Sequence, residues 1–162
     1  VLTRYFEAAE REKADLVIRI TSDCPLIDPQ ITDRVIEAGA EVQTYTSNIG
    51  LRTFPRGLDT EVFPFELLEE AFENAESEAE REHVTPYIRE KYKDEAVNVA
   101  GTRDYSFHRW TLDTEEDYTL IRKIYEKLWP NNAEFSFKDI LDLFEKEPEL
   151  FEINSHIEQK KI

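Results

Sequence analysis

The sequence predicts an α/β domain built around a largely parallel central sheet. Two observations carry that expectation. Short apolar runs of strand character alternate with longer stretches of helical period, and two late helices open on paired capping residues. No internal repeat or low-complexity linker divides the chain, so residues 1–162 read as a single domain.

Taken in order, residues 2–13 carry Leu2, Tyr5, Phe6 and Ala9 at i, i+3, i+4 and i+7, the apolar stripe of a helix packed on one face. Leu16, Val17, Ile18 and Ile20 follow as a short buried strand interrupted by Arg19. Asp28-Pro29 is a helix start, with Asp as N-cap and Pro at N1, and that helix is expected to run to about Ala38 before Gly39. Residues 42–46 read as a second strand. Residues 50–62 form a loop that tightens into a strand near 60–63, with Gly57 at a turn needing positive φ. Helical pattern returns from Pro64, and eight glutamates within 66–82 mark that stretch as a solvated face. Thr85-Pro86 ends one helix and caps a short second one. Strands are expected at 97–100 and 106–113, and helices at 114–128 and 136–145. A helix–strand alternation that opens on a helix suggests that the first strands are missing, and the absence of methionine even at position 1 suggests a fragment or a processed form.

Composition narrows the function classes. Hydrophobic residues at 40% and aromatics at 12% describe a globular chain. A net charge of −16 opposes a nucleic-acid partner, although it leaves room for a nucleotide held through a cation and a few arginines. No apolar run approaches the ~18–20 residues of a membrane span, and no signal peptide is visible. A single cysteine makes a reducing, cytoplasmic location the expectation.

Two carboxylates stand out by position. Both late helices carry capping boxes, Thr114 with Asp117 and Ser136 with Asp139. Before the second cap, Phe135 can staple to Ile140. Before the first, Asp113 occupies the staple position and breaks the local rule. Asp23 stands in the same relation to its own strand, followed at once by Cys24-Pro25. Both acids lie where a strand gives way to a turn, the edge at which parallel α/β sheets bind ligands. Two such carboxylates can hold a Mg²⁺ that keeps waters and grips a phosphate, while the plainer reading of each is a turn residue, since Asp is common there.

The stretches "VIRITSDCPLIDP", "YTSN", "FPRGLDTEVF", "EREHVTPYI", "HRWTLDTEEDYTLIRKIYEKL" and "INSHIEQK" together resemble the cytidylyltransferases of the spore-coat polysaccharide type. These are relatives of the acylneuraminate (CMP-sialic acid) and CMP-Kdo synthetases. The stretches occur in that family's order and cover almost the whole chain. The resemblance implies the three-layer Rossmann-like fold of nucleotide-diphospho-sugar transferases. It also implies Mg²⁺ ligands at Asp23 and Asp113, the positions matching the acids of "GD-x-PLI" and "DTPED". Ser22 replaces the usual Gly and Glu115 the usual Pro, and neither change removes a ligand. The family's opening strand and Gly/Arg loop, "QAR-x-x-S-x-R-L-P-G-K", has no match here. The expectation is therefore a metal- and sugar-binding portion with little activity as a separate chain.

Other candidates follow from chemistry. Sugar acids call for forked arginines, and Arg52, Arg56 and Arg109 are placed to serve, with Arg109, Thr111 and Asp113 on one face of an extended segment. Asp59 and Glu61 share a strand face and suit sugar hydroxyls, a second cation or plain solvent. His83 suits a base, a sugar contact or a packed histidine. His108 and His156 show no zinc-ligand spacing, and Cys24 has no adjacent base. Trp110 and Trp129 read as core or interface aromatics.

The function expected is transfer of CMP from CTP to a sugar or sugar acid, releasing pyrophosphate, with Mg²⁺ as cofactor and His83 as base. A homodimer is expected, because a sheet short of its first strands leaves an edge to pair. The alternative is a non-catalytic sugar-binding or interaction module. A sugar transferase using an Asp-x-Asp motif is disfavoured, because no such motif lies near a strand end.

Overall fold

The structure, a computed structural model, describes residues 1–159. Lys160, the last residue of the tail motif quoted above, lies outside the described residues. Helix α1 (Leu2–Glu12) buries Leu2, stacks Phe6 on Phe72 with ring centroids 4.2 Å apart, and ends at Lys13 in the left-handed region. Strand β1 (Leu16–Arg19) follows. Asp28 then caps α2 (Pro29–Val42) by accepting the Ile31 N–H at 3.0 Å. The helix does not stop at Gly39, where the sequence suggested a stop. It passes through it, because a Cβ there would lie 2.6 Å from Cγ1 of Val62, so the glycine serves close packing of helix on sheet. The second strand is correspondingly short and late, β2 (Thr46–Ser47).

Strand β3 (Glu61–Pro64) leads into α3 (Phe65–Asn74), α4 (Glu78–His83) and α5 (Pro86–Lys91). After β4 (Val97–Asn98) come α6 (Glu115–Leu128), α7 (Phe137–Lys146) and a 3₁₀ turn at Pro148–Ile153. Both expected capping boxes, at Thr114/Asp117 and Ser136/Asp139, are present.

Among the described residues the sheet has four strands in the order β1-β3-β2-β4. Strand β3 is antiparallel to both β1 and β2, with Arg19 opposite Glu61 and Thr46 opposite Val62, whereas β2 and β4 are parallel. The expected mostly parallel sheet is thus corrected to a mixed one. β1, β2 and β4 run one way, and β3 runs back between two of them. The reason lies in the connections. α2 provides the crossover that a parallel return requires, while β2 reaches β3 through a loop with no helix. Asn48 clamps that loop, its side chain donating to Leu58 O at 2.6 Å and accepting from Thr60 N at 2.9 Å.

Residues 106–113 do not form the expected strand. Residues 106 and 107 lie in a turn closed by His108 N donating to Tyr105 O at 3.0 Å, and residues 108–112 bind successive partners rather than one ladder. Trp110 N donates to Arg56 O at 2.8 Å and Leu112 N to Asp23 O at 2.9 Å, with one isolated bridge joining Arg56 and Arg109. Two apolar clusters form the core. One gathers Phe54, Leu58 and Trp110 against α6 and α7, and the other gathers Val17, Phe63 and Val84 with α1, α3 and α5. No helix among the described residues is long and apolar enough to cross a membrane.

Candidate functional site

The eight residues singled out from the sequence all line one cleft of about 660 Å³: Asp23, Arg52, Arg56, Asp59, Glu61, His83, Arg109 and Asp113. They come from the turn after β1, the β2–β3 loop, the start of β3, the end of α4 and the segment before α6.

The turn after β1 separates its two acids by task. Asp28 is buried and both its oxygens are occupied, one by Ile31 N and the other by Phe137 N of α7 at 2.7 Å. Asp23 faces the cleft and takes one hydroxyl, Thr111 Oγ1 at 3.2 Å. That same hydroxyl lies 3.2 Å from Asp23 O, and Leu112 N donates to that carbonyl at 2.9 Å. Asp113 is the next residue. The segments carrying the two carboxylates are therefore stitched to each other through backbone, although 90 positions separate Asp23 and Asp113 in the chain.

Asp113 is held from behind. Its N–H donates to Asp117 Oδ2 at 3.1 Å, and its side chain accepts from Arg109 Nη2 at 2.8 Å. Asp117 is fully buried, and also accepts from Arg109 Nε and from Asn154 Nδ2 at 2.8 Å. Burial pushes the Asp117 carboxyl up, but the hydrogen bonds from Arg109 and Asn154 outweigh it, and the group lies below the usual carboxylate range. Burial likewise opposes the charge on Arg109, yet Asp117 and Asp113 hold its guanidinium above the ordinary value. Arg109 reaches the tail as well, donating from Nη1 to Gln159. It lies on the cleft as expected, although most of its donors are already spent on the protein.

The other arginines differ in availability. Arg52 is forked onto Asp59 at 2.6 and 2.8 Å, which also removes Asp59 as a free ligand. Arg56 has no hydrogen-bonded or ionic side-chain partner among the described residues, and burial together with neighbouring Arg52 lowers its pKa. Glu61 sits on the cleft floor with both oxygens engaged, one by Tyr45 Oη at 2.6 Å and the other by Arg19. It braces the floor and offers little to a second cation. His83 is half-buried at the end of α4, its ring unpartnered among the described residues. Burial pushes the Cys24 thiol up to about 11, so the neutral thiol fills space beside Asp23.

The structure adds Arg19, Thr85 and Arg89 to the cleft lining. Arg19 had a signal, a lone charge in an apolar strand. Thr85 and Arg89 had none beyond their closeness to His83.

A metal can be tested against these groups. Among the described residues no three Asp, Glu, His or Cys side chains gather as a cage. Two cleft-facing carboxylates tied together fit a hard cation that keeps several waters and shares a phosphate, and they do not fit a fully protein-enclosed ion.

A family model described as cytidylyltransferase matches residues 1–162. The chain is 31% identical over 163 residues to the uncharacterized protein MJ1063 of Methanocaldococcus jannaschii, covering 99% of this chain and 65% of that protein. It is 30% identical over 157 residues to the spore coat polysaccharide biosynthesis protein SpsF of Bacillus subtilis, covering 92% of this chain and 62% of that one. A solved cytidylyltransferase from Leptospira borgpetersenii superposes with a TM-score of 0.87 at 30% identity, over 99% of this chain and 67% of the other. The chain thus spans about two thirds of the length of the proteins it matches.

Proposed function

The chain belongs to the cytidylyltransferase family, and from that premise we propose that its cleft is the metal- and sugar-facing wall of an enzyme that transfers CMP from CTP to a sugar or sugar acid in surface polysaccharide biosynthesis. One observation supports this above the rest. Asp23 and Asp113, distant in sequence, are tied together by the Leu112 N to Asp23 O hydrogen bond and open on a cleft lined with arginines.

The chemistry divides among the residues. A sugar hydroxyl oxygen attacks the α-phosphorus, the bond to the β-phosphate bridging oxygen breaks, and pyrophosphate leaves with that electron pair. His83 accepts the hydroxyl proton, for which its unpartnered half-buried ring suits it. Asp23 and Asp113 would hold Mg²⁺, which when bound supplies positive charge against the phosphates. Arg56 and Arg89, each without an ion-pair partner among the described residues, are the cations left for a phosphate or a sugar carboxylate. Arg52 with Asp59, and Arg19 with Glu61, fix the floor on which the sugar rests. A cytoplasmic location and a homodimer complete this reading.

A second reading, a non-catalytic sugar-binding module, is favoured by one feature: Asp113 already has Arg109 as its counter-ion. Calorimetry of CTP with and without MgCl₂ separates the two. The enzyme reading expects CTP binding that needs Mg²⁺ and weakens at least about tenfold in Asp23→Asn and Asp113→Asn. CTP binding indifferent to Mg²⁺ and to both substitutions would overturn it.

A further inference from the structure

Between α4 and α5 the backbone does something a valine ordinarily avoids. Val84 has φ 70° and ψ −53°, and Thr85 N donates to His83 O at 2.8 Å across it. That is a γ-turn of the strained kind, and a β-branched side chain makes its φ an outlier. The strain is anchored, because the Val84 side chain is completely buried among Leu68, Ala71 and Ile88. The chain reverses within three residues, so with Val84 driven into the core its two neighbours face the other way. His83 and Thr85 both line the cleft.

Neither neighbour is spent on the protein. Thr85 is buried to 3% exposure, yet among the described residues its hydroxyl has no hydrogen-bond partner, and neither has the His83 ring. A hydroxyl both donates and accepts, and a neutral imidazole offers one donor and one acceptor. That combination matches the hydroxyls of a polyol rather than a cation or a phosphate. We propose that Val84 is a positioning residue whose strained turn presents the Thr85 hydroxyl and the His83 imidazole together as the hydroxyl-binding wall of the cleft. The inference rests on the CMP-sugar reading, and assigns Thr85 to the sugar and not to the nucleotide.

Two sets of variants test it in the full chain. At an ordinary backbone position glycine lowers the folded-to-unfolded ratio about threefold to fivefold below alanine. At a strained positive φ, Val84→Gly is expected to equal or exceed Val84→Ala in urea unfolding, and the ordinary ranking would overturn the strain. For the ligand, NMR follows the Thr85 methyl and the His83 ring as N-acetylneuraminate or N-acetylmannosamine is added with CTP and MgCl₂. Both signals are expected to move. Thr85→Val should weaken the sugar about tenfold and Thr85→Ser should restore it, while Val84→Gly should weaken sugar binding and leave CTP affinity unchanged. Unmoved Thr85 and His83 signals with both sugars, or wild-type affinity in Thr85→Val, overturn the proposal. Absence of Mg²⁺-dependent CTP binding in the wild type strikes instead at the reading beneath it, a result the same samples distinguish.

Discussion

Asp23 and Asp28 share one turn and have opposite duties. Asp28 caps two helices at once, so Asp28→Ala orphans the N–H groups of Ile31 and Phe137 and should cost about 2–3 kcal/mol in urea unfolding. Asp23→Ala removes one hydroxyl contact and a long contact from the Cys24 thiol, and should cost less than about 1 kcal/mol. His108 provides a pH test. It is buried among Phe107, Trp110, Phe144 and Phe151, Nδ1 has no partner among the described residues, and burial lowers its pKa from 6.5 to about 4. Between those values the unfolded chain binds a proton that the folded chain refuses. This contribution is therefore whole above pH 6.5 and lost as pH falls toward 4, about 3 kcal/mol in all. Stability measured from pH 7 to 4 should lose that slope in His108→Phe. At this scale the cleft carboxylates were legible in the sequence, because Asp23 and Asp113 had no local job while Asp28 and Asp117 did. The engagement of Glu61 was not legible, since its partners Tyr45 and Arg19 come from distant segments.

Two glycines permit close approach between elements. Gly57 lies at φ +98°, as expected of a turn, and a Cβ there would stand 2.5 Å from the Trp110 carbonyl. Gly57→Ala should lose about 3 kcal/mol or more and pull the Arg56 loop off the segment carrying Arg109. Gly39→Ala improves helix propensity yet pushes a methyl into Val62. A net loss of about 1–3 kcal/mol is expected, measurable by the same unfolding assay. Local patterning reported the capping boxes of α6 and α7 faithfully because caps are short-range. It misread Gly39 and the 106–113 segment because both are decided by what packs against them. Arg109, Thr111 and Asp113 nevertheless all reach the cleft, since alternation needs only an extended backbone and not a ladder.

For the whole molecule, the alternation of strands and helices was enough to assign α/β, whereas the direction of β3 depended on a loop whose return no local signal encodes. In the described sheet β1 is an edge strand, and Ile18 within it and Ile20 just after it remain partly exposed. Light scattering should accordingly return twice the chain mass, and a stable monomer would contradict the proposed homodimer. In the proposed enzyme Asp23 and Asp113 form one cation site divided between two segments. Mn²⁺ titration followed by electron paramagnetic resonance tests it directly, using the wild type, Asp23→Asn, Asp113→Asn and the double variant. A shared site predicts that each single substitution weakens Mn²⁺ about tenfold or more and that the double variant is scarcely worse than either single. Independent, additive losses, or wild-type affinity in either single variant, would contradict it.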